Sequence, residues 1–389
     1  MNIIDESYEI LDIPDATDRM GVLKFLEKIG RTCYKSEDKI TDESCVKFIN
    51  GIRDRGHWAM LEHYIFVFEV PGFVIELLQD PSAYTDVGYD YRDKLKYINC
   101  SYYNVYDSHR DNRIVGLVSA SATAINYLLA TQTVKSTPYH PIRCIAEYLN
   151  VFFPELIKFP DGYKKNSEAI SSMCHEPSMY ISDAFKPRIL TRAEIKALPK
   201  AQRLLHDSMT VKFIVNRQIT HEIVRHRPAS YAQESTRYCN YGKKGMTFIR
   251  PNDLEVNSPE FMVWRDSMET VEKNYHKLLD LGVSVQKAAS ILPASILPNS
   301  TKAELIMTAR LLEWIHFFEM RADSHAHPQM REVAVPLLDD CLKNDPTIYS
   351  DLKKLRASIR LADNERELKA EVQKKGETNE HTGRASRQE

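Results

Sequence analysis

The sequence predicts an α+β protein, in which amphipathic helices are combined with at least one strand. Apolar residues recur at helical spacing over residues 17–33, 42–55 and 262–281. Residues 64–70 are aromatic and β-branched instead, which is typical of a strand, and Pro71-Gly72 ends this run with a turn signal. These two kinds of pattern together give the fold class.

Four further stretches show helical spacing. Residues 210–224 read as an amphipathic helix that Pro228 should end, because proline cannot continue a helix. Residues 302–320 also read as a helix, and helical patches occur near 112–130 and 141–153. Residues 210–224 lead directly into the most informative part of the chain.

Length, charge and cysteine content limit the kinds of protein that this chain can be. At 389 residues the chain has room for one or two domains, and a formal net charge of -2 gives no global field to attract nucleic acid. Seven scattered cysteines without a Cys-x-x-Cys pair or zinc spacing predict reduced, structural thiols. No secretory signal and no apolar run of ~18 residues is visible. We therefore expect a cytoplasmic protein with no membrane partner.

Residues 225–238 form a dense cluster of side chains that bind anions and heterocycles. Guanidinium forks suit phosphates, and hydroxyl, amide and imidazole groups suit a hydrogen-bonding ring. The groups concerned are Arg225, His226, Arg227, Ser230, Gln233, Ser235 and Arg237. An Arg-His-Arg triplet alone is more often a solvated basic turn, but here the pattern of Ser and Arg continues beyond Pro228.

This cluster resembles the signature of the flavin-dependent thymidylate synthases. The signature is Arg-His-Arg, seven residues, then Ser, and the chain has it as Arg225 to Arg227 followed by Ser235. Two more family-like blocks stand in the expected order, Gly-His-Trp-Ala-Met-Leu-Glu-His at 56–63 and Arg-Ala-Asp-Ser-His-Ala-His at 321–327. The resemblance covers roughly residues 8–71 and 207–345.

The resemblance implies a fold and a domain organisation. Helices should pack on a small, mostly antiparallel sheet, in a catalytic domain made of residues 1–71 and 207–360. Residues 72–206 would be an insertion acting as a subdomain, a lid or an assembly surface. Residues 361–389 are charged and poor in large apolar side chains, which predicts disorder. The family also implies a homotetramer with sites built between subunits.

The activity implied is methylation of dUMP to dTMP. Methylenetetrahydrofolate would donate the carbon, and FAD recharged by NADPH would supply reducing equivalents, so that the cofactor carries the difficult step. A cysteine nucleophile is not expected. The nearest candidate is Cys174-His175, a dipeptide that arises easily by chance and whose side chains do not readily face each other.

The resemblance also assigns roles to single residues. The FAD contacts would be His63, Arg225, His226, Arg227, Gln233, Thr308, Arg310 and His316. The dUMP contacts would be Glu222, Arg225, Gln233, Ser235, Arg237 and Arg321. Arg321 would be the catalytic residue, since a fixed cation beside the uracil ring favours loss of the N3 proton.

Simpler interpretations exist for several of these residues. Arg321 could pair with Asp323 at a helix end, and His316 and His63 could be core histidines. The pair His325 and His327 has no evident third ligand, so no metal site is predicted.

Three positions depart from the family pattern. Glu222 stands where glutamine is frequent, and Thr308 where asparagine is usual. Ala289, or Ala294, stands where an arginine usually helps to hold the nucleotide phosphate. A catalytically impaired flavin- and nucleotide-binding homologue is therefore one alternative. A less favoured one is a single-stranded nucleic-acid-binding protein that uses the tyrosine-rich segment after residue 80.

Overall fold

A computed structural model describes residues 1–79, 98–107, 110–131, 134–135, 140–163, 187–236, 239–291 and 297–364. Helices and small sheets are mixed, and two of the three sheets are antiparallel, so the predicted α+β class with mostly antiparallel sheets is confirmed. The chain divides into two compact units, Met1–Glu313 and a second that begins at Trp314.

Ten strands are described in chain order. They are β1 Asn2–Ile4, β2 Ser7–Leu11, β3 Ile65–Pro71, β4 Asn99–Asp107, β5 Arg110–Ser121, β6 Arg188–Ile189, β7 Ser208–Asn216, β8 Ser230–Gln233, β9 Thr247–Ile249 and β10 Lys302–Arg310.

The α-helices lie mostly between these strands. They are α1 Arg19–Thr32, α2 Ser44–Asp54, α3 Phe73–Gln79, α4 Ala122–Leu129, α5 Pro141–Phe152, α6 Arg192–Ala197, α7 Lys200–His206, α8 Arg217–Ile223, α9 Tyr241–Lys244, α10 Pro259–Asp280, α11 Leu311–Arg321 and α12 Pro328–Asn344, with residues 353–364 forming α13. Short 3-10 helices cover Glu37–Lys39, Trp58–His63 and Ser350–Leu352, and a π-helical turn covers Lys287–Ile291.

The strands form three sheets. The first has the order β2-β7-β10-β8 and the second β4-β5-β3-β6, and each neighbouring pair in these two sheets is antiparallel. The strands β1 and β9 pair in parallel. The second sheet joins β3 to strands of the expected insertion, so the expected boundary at residue 71 falls inside a sheet.

The predicted helices over 210–224 and 302–320 are wrong in their first halves. Residues 208–216 and 302–310 are instead the two central strands of the first sheet. A strand covered on both faces is apolar almost throughout, and residues 303–309 are all buried. A short apolar run of this kind fits both periodicities, so sheet pairing rather than local pattern decides its conformation.

The other predicted elements are found with small shifts. Three predicted helices are found: the run at 17–33 is α1, the run at 42–55 is α2 and the run at 262–281 is α10. The predicted strand at 64–70 is β3. The patch at 141–153 is the helix α5. The patch at 112–130 is helical only from Ala122, because Arg110–Ser121 is a strand.

The largest core cluster of the first unit fills the space between α1, α2, the second sheet, α4 and α5. One face of α1 shows why the helix forms, since Val22, Leu23, Leu26 and Ile29 are fully buried at helical spacing. Ala232 and Ile306, from the first sheet, belong to the same cluster. The two sheets therefore share a core, and the space between them is where the candidate site lies.

Candidate functional site

A cavity of about 640 Å³ lies in the first unit. Its lining comes from four separate stretches of chain. The lining residues are Glu62, Ile65, Ser121, Thr123, Ala124, Tyr127, Arg227, Pro228, Ala229, Ser230, Thr308, Ala309 and Arg310. Three predicted flavin contacts, Arg227, Thr308 and Arg310, are thus brought together.

Two groups of lining residues differ in origin. We call Arg227, Ser230, Thr308 and Arg310 the arginine wall, because they come from the signature turn and from β8 and β10. We call Ser121, Thr123, Ala124 and Tyr127 the helical wall, because they cap or belong to α4. The helical wall lies in the 72–206 segment, the expected insertion, and none of its residues was assigned a role from the sequence.

Strand register explains how the arginine wall is assembled. Thr308 on the central strand β10 lies beside Ser230 of β8 on one side and beside Thr210 of β7 on the other. The hydroxyls of Thr308 and Thr210 are 2.9 Å apart. Side chains directly opposite one another in an antiparallel pair are neighbours on one face. The pairing therefore aligns hydroxyl groups along one edge of the cavity.

His63 lies behind Thr308. Its Nδ1 is 2.8 Å from the Thr308 hydroxyl, and the imidazole is fully buried. Burial lowers the pKa of His63 to about 3, because an apolar environment disfavours the charged ring. A neutral imidazole is therefore fixed against the hydroxyl that lines the cavity.

Arg310 provides a cation held from the second sheet. Its Nη2 donates to the backbone carbonyl of Ser119 at 3.2 Å. Burial lowers the pKa of Arg310 to about 10, which still leaves the guanidinium charged at neutral pH. Its Nε is buried without a hydrogen-bond partner among the described residues. A buried donor of this kind is costly unless a ligand satisfies it.

Glu62 contributes a carboxylate to the same cavity. Burial raises its pKa, while a hydrogen bond from Ser230 at 3.3 Å and the charge of Arg227 act in the opposite direction. The cavity therefore contains two arginines and one carboxylate among several hydroxyls.

The helical wall is held by contacts to the Trp58 region. The Thr123 hydroxyl donates to the Trp58 carbonyl at 2.5 Å, and the rings of Tyr127 and Trp58 are 5.3 Å apart. The Trp58 indole donates in turn to the Arg53 carbonyl at 2.9 Å. Ser121 caps α4 by accepting from the amide of Ala124 at 3.2 Å. Both ends of this wall are thereby fixed.

The signature turn separates its two arginines. The helix α8 ends at Ile223, so residues 225–227 form a turn rather than a helical face. Arg225 and Arg227 are exposed, while His226 between them is buried. The peptide between Arg227 and Pro228 is cis. Of the triplet, only Arg227 lines the cavity.

Hydrogen bonds tie this turn to β8. The Tyr231 hydroxyl lies 2.9 Å from the Ile223 carbonyl and 2.5 Å from the His226 carbonyl. The Gln233 amide donates to the Thr220 hydroxyl at 2.9 Å. Helix α8, the turn and the strand are thus linked on both sides of His226.

A buried ionic cluster anchors the chain after β8. Glu234 and Glu304 pair with Lys302, each at 2.9 Å. Lys212 lies 2.7 Å from Glu304, and Lys35 also contacts Glu304. Burial alone would raise the pKa of Glu304, but these lysines together hold it well below its usual value.

The remaining predicted substrate contacts of the first unit lie outside the cavity lining. Ser235 follows the ionic cluster, and its amide donates to the Cys33 carbonyl at 3.1 Å. Glu222 is half-buried in the last turn of α8. Arg237 and Ala294 lie outside the described residues. Ala289 is buried in a core cluster with Phe248 and Tyr275.

In the second unit, Arg321 is the last residue of α11 and is half-buried. His316 is exposed, so its interpretation as a core histidine is wrong; Trp314, Phe317 and Phe318 form the buried aromatic group instead.

The His-x-His pair also lies in this unit. Asp323 accepts from the amide of the exposed His325 at 2.9 Å and lies 2.7 Å from its Nδ1. Among the described residues no group of three or more potential metal ligands occurs.

Sequence reasoning missed several lining residues. Glu62 stands inside a recognised block, so its proximity to His63 was an available signal, and Ser230 was named in the anion-binding cluster but was given no specific contact. Ser121, Thr123 and Tyr127 carry no motif, and only the pairing of β5 with β3 brings them to the cavity.

Comparison with known proteins identifies the part of the chain that carries the signature. Residues 194–347 match the family model described as thymidylate synthase complementing protein. The chain is 31% identical over 137 residues to a flavin-dependent thymidylate synthase of Geobacter sulfurreducens, covering 35% of this chain and 57% of that one. Residues 194–347 are therefore similar to the flavin-dependent thymidylate synthases.

Two archaeal relatives with the same name give similar values. The enzymes of Pyrococcus furiosus and Pyrococcus abyssi are 31% and 30% identical over 39% of this chain, which covers 63% and 64% of their lengths. The chain thus spans about three fifths of the curated relatives it matches.

Among solved structures, the chain is similar to a UMP/dUMP methylase, PolB of Streptomyces cacaoi. The structure bound with 5-Br dUMP has a TM-score of 0.33 and 22% identity, covering 42% of this chain and 78% of that one. The similarity to flavin-dependent thymidylate synthases therefore rests on the sequence matches alone. No helix among the described ranges has the length and apolar character of a membrane span.

Proposed function

We propose that this chain methylates dUMP to dTMP, with FAD as cofactor and with NADPH and methylenetetrahydrofolate as co-substrates. The observation that carries the proposal is the arginine wall. It joins Arg227 of the signature turn to Thr308 and Arg310 of β10, and these residues lie in the region of the family match. The dUMP, folate and NADPH assignments follow from the family resemblance.

The residues of the cavity fit a flavin nucleotide. Arg227 and the unpartnered Nε of Arg310 offer charged donors of the kind that phosphates accept. The hydroxyls of Ser230 and Thr308 offer neutral partners for a polar ring edge. Flavin, when bound, supplies the reducing equivalents for conversion of the added carbon to a methyl group.

Two titratable side chains, His63 and Glu62, lie at this cavity or directly behind its lining. Neutral His63 holds the Thr308 hydroxyl by its Nδ1, so that Thr308 is oriented without a further charge. Glu62 lies beside Ser230 and within the field of Arg227. We propose that this pair of groups orients the ring of the bound flavin rather than transferring protons.

The state of the thiols supports a reaction without a cysteine nucleophile. Burial raises the pKa of Cys33 to about 11 and those of Cys100, Cys239 and Cys341 to about 12. Such thiols are protonated at neutral pH, whereas a nucleophile must be a thiolate. Cys174 lies outside the described residues. The family resemblance assigns activation of the uracil ring to Arg321 instead.

The nucleotide-binding residues remain those that the resemblance assigns. Arg225, Glu222, Gln233, Ser235 and Arg237 would hold dUMP, with Arg321 beside the ring. Homotetramer formation would bring such residues of different chains together.

Two measurements on the purified protein test this proposal. Bound flavin should give a yellow preparation that NADPH bleaches, and tritium should be released from dUMP labelled at C5 when methylenetetrahydrofolate is present. Flavin without tritium release would favour the impaired homologue. A colourless protein with salt-sensitive oligonucleotide binding would favour the nucleic-acid alternative. Growth of a thymidine-requiring bacterial strain on this gene would test the whole reaction in cells.

A further inference from the structure

We infer that the helical wall is part of the flavin site, with Tyr127 as the aromatic surface against which a flat ring of FAD packs. This inference rests on the proposed function, because it takes the ligand of the cavity to be FAD. It gives the 72–206 segment a role in cofactor binding.

Sheet pairing builds the helical wall into the cavity. In the second sheet Ser121 pairs with Ile65, and both line the cavity together with Glu62 of the Gly-His-Trp block. The helix α4 starts immediately after Ser121, so Thr123 and Tyr127, one turn apart on α4, reach the same space. The segment thus extends a cavity whose remaining lining lies within residues 8–71 and 207–345, the ranges that the family resemblance covers.

The chemistry of the two walls is complementary to a flavin nucleotide. The arginine wall offers charged donors for phosphates, whereas Tyr127 offers an aromatic face for a planar ring. Aromatic rings pack on one another in offset or tilted arrangements. Tyr127 is held by a tilted contact with Trp58 at 5.3 Å between ring centroids. Thr123 is fixed by its bond to the Trp58 carbonyl. These contacts with Trp58 therefore fix the orientation of the aromatic surface.

The same segment also holds Arg310 from behind. Arg310 donates to the Ser119 carbonyl, and the Ser119 hydroxyl lies 3.0 Å from Nδ1 of the buried His206. Nε2 of His206 lies 2.7 Å from the Ser101 hydroxyl, which donates to Gln202 at 2.6 Å. This chain of hydrogen bonds sets the position of a cation on the arginine wall. Residues of the 72–206 segment therefore contribute both to the lining and to its support.

The test is a titration of FAD into the full-length protein stripped of flavin, followed by flavin fluorescence and visible circular dichroism. Tyr127→Leu keeps apolar volume but removes the aromatic face. We expect it to weaken FAD binding about fivefold to tenfold, the worth of one aromatic contact. Tyr127→Phe keeps the ring and should bind FAD as the wild type does.

The matched control is Tyr148→Leu. Tyr148 lies in the same segment and packs on Phe152 in a tilted arrangement with ring centroids 5.1 Å apart, but it does not line the cavity. It should lower thermal stability without changing FAD affinity. If Tyr127→Leu does not fold, the flavin circular dichroism of Tyr127→Trp takes its place: its spectrum should differ from that of the wild type, whereas the spectrum of Tyr127→Phe should not.

The outcomes separate the two proposals. A wild-type protein that binds no FAD overturns the proposed function and this inference with it. If the wild-type protein binds FAD but the Tyr127 variants keep the same FAD affinity and flavin spectrum, this inference alone is overturned. Equal loss in the Tyr127 and Tyr148 leucine variants would also overturn it, because the effect would then be structural.

Discussion

The two walls of the cavity are anchored by different physical means. Behind the arginine wall, Glu234 and Glu304 form a buried ionic cluster with Lys35, Lys212 and Lys302. Behind the helical wall the described contacts are neutral, as in the bond from Thr123 to the Trp58 carbonyl. Buried charges fix geometry strongly but leave a large penalty when one partner is lost. Neutral hydrogen bonds are individually weaker and do not respond to salt.

Two buried neutral histidines support the arginine wall. His63 contacts the Thr308 hydroxyl, and His206 contacts Ser119, whose carbonyl accepts from Arg310. Burial lowers the pKa of His63 to about 3 and that of His206 to about 4. Acid should therefore weaken the support of both Thr308 and Arg310, whereas mutation of the ionic cluster should act on the arginine wall only through β8 and β10.

The largest effect is expected from a fall in pH from 7 to 5. His63, His206 and His140 all have lowered pKa values, the last also about 3. Between pH 6.5 and these values the unfolded chain binds protons that the folded chain does not, so stability falls as pH falls. Each histidine should contribute a loss of about 2 kcal/mol by pH 5, or roughly 6 kcal/mol for the three.

Urea unfolding at pH 7, 6 and 5 measures this loss. His206→Gln removes one titrating group and should reduce the pH dependence by about one third of the wild-type value. Equal stability at pH 5 and pH 7 would show that the folded chain accommodates the charged imidazoles.

The next effect is expected from Glu304→Gln, which removes one centre of the ionic cluster. Lys302 and Lys212 would lose a partner inside the protein, at a cost of about 3–5 kcal/mol in the free energy of unfolding. The lowered pKa of Glu304 means that its stabilisation is present above the unfolded value and is lost as pH falls below about 4.5.

Glu37→Gln is the control for this variant. Glu37 lies 3.5 Å from Lys35, but its side chain is 35% exposed. Its loss should change stability by less than about 1 kcal/mol. Hydrogen exchange then measures the effect on each wall separately. In Glu304→Gln the backbone amides of residues 230–236 should exchange faster than in the wild type, whereas those of residues 119–127 should exchange at the same rate. Faster exchange at both places would mean that the two walls are not anchored independently.

The sequence predicted the arginine wall better than the helical wall, and the reason is physical. Arg227, Thr308 and Arg310 could be named because the residue types themselves carry the chemistry and stand in a recognisable order. Ser121, Thr123 and Tyr127 are ordinary residues of a strand end and a helix. They reach the cavity through the pairing of β5 with β3, which depends on contacts between residues about 50 positions apart. The pattern of neighbouring residues in the sequence does not predict which distant strands will pair.

The same limit explains the misassigned strands. The apolar runs of β7 and β10 satisfy helical spacing, and only burial between two neighbouring strands makes them extended. Helices with one exposed face, such as α1 and α10, were predicted correctly. Polar residues on the exposed face recur at helical spacing, which distinguishes such a helix from a buried strand.

A smaller effect is expected from Arg310→Met, which tests the ligand side of the arginine wall. Removal of a charged donor should weaken FAD binding by about 1.5–3 kcal/mol, the worth of a hydrogen bond to a charged group. Arg250→Met is the matched control, because Arg250 pairs with Asp5 at 2.9 Å and does not line the cavity. Unchanged FAD affinity in Arg310→Met would remove this arginine from the site.

The smallest effect is expected from Tyr231→Phe, which loosens the signature turn without altering any lining side chain. The Tyr231 hydroxyl holds the carbonyls of Ile223 and His226, so its loss should cost about 0.5–1.5 kcal/mol of stability. Because these carbonyls position the turn that carries Arg227, FAD binding should also weaken. Tyr64→Phe removes a comparable buried bond, from the Tyr64 hydroxyl to the Pro14 carbonyl at 2.9 Å, away from the turn. Both variants should lose similar stability by urea unfolding, but only Tyr231→Phe should lose FAD affinity. If neither variant changes FAD affinity, the position of Arg227 does not depend on the rigidity of the turn.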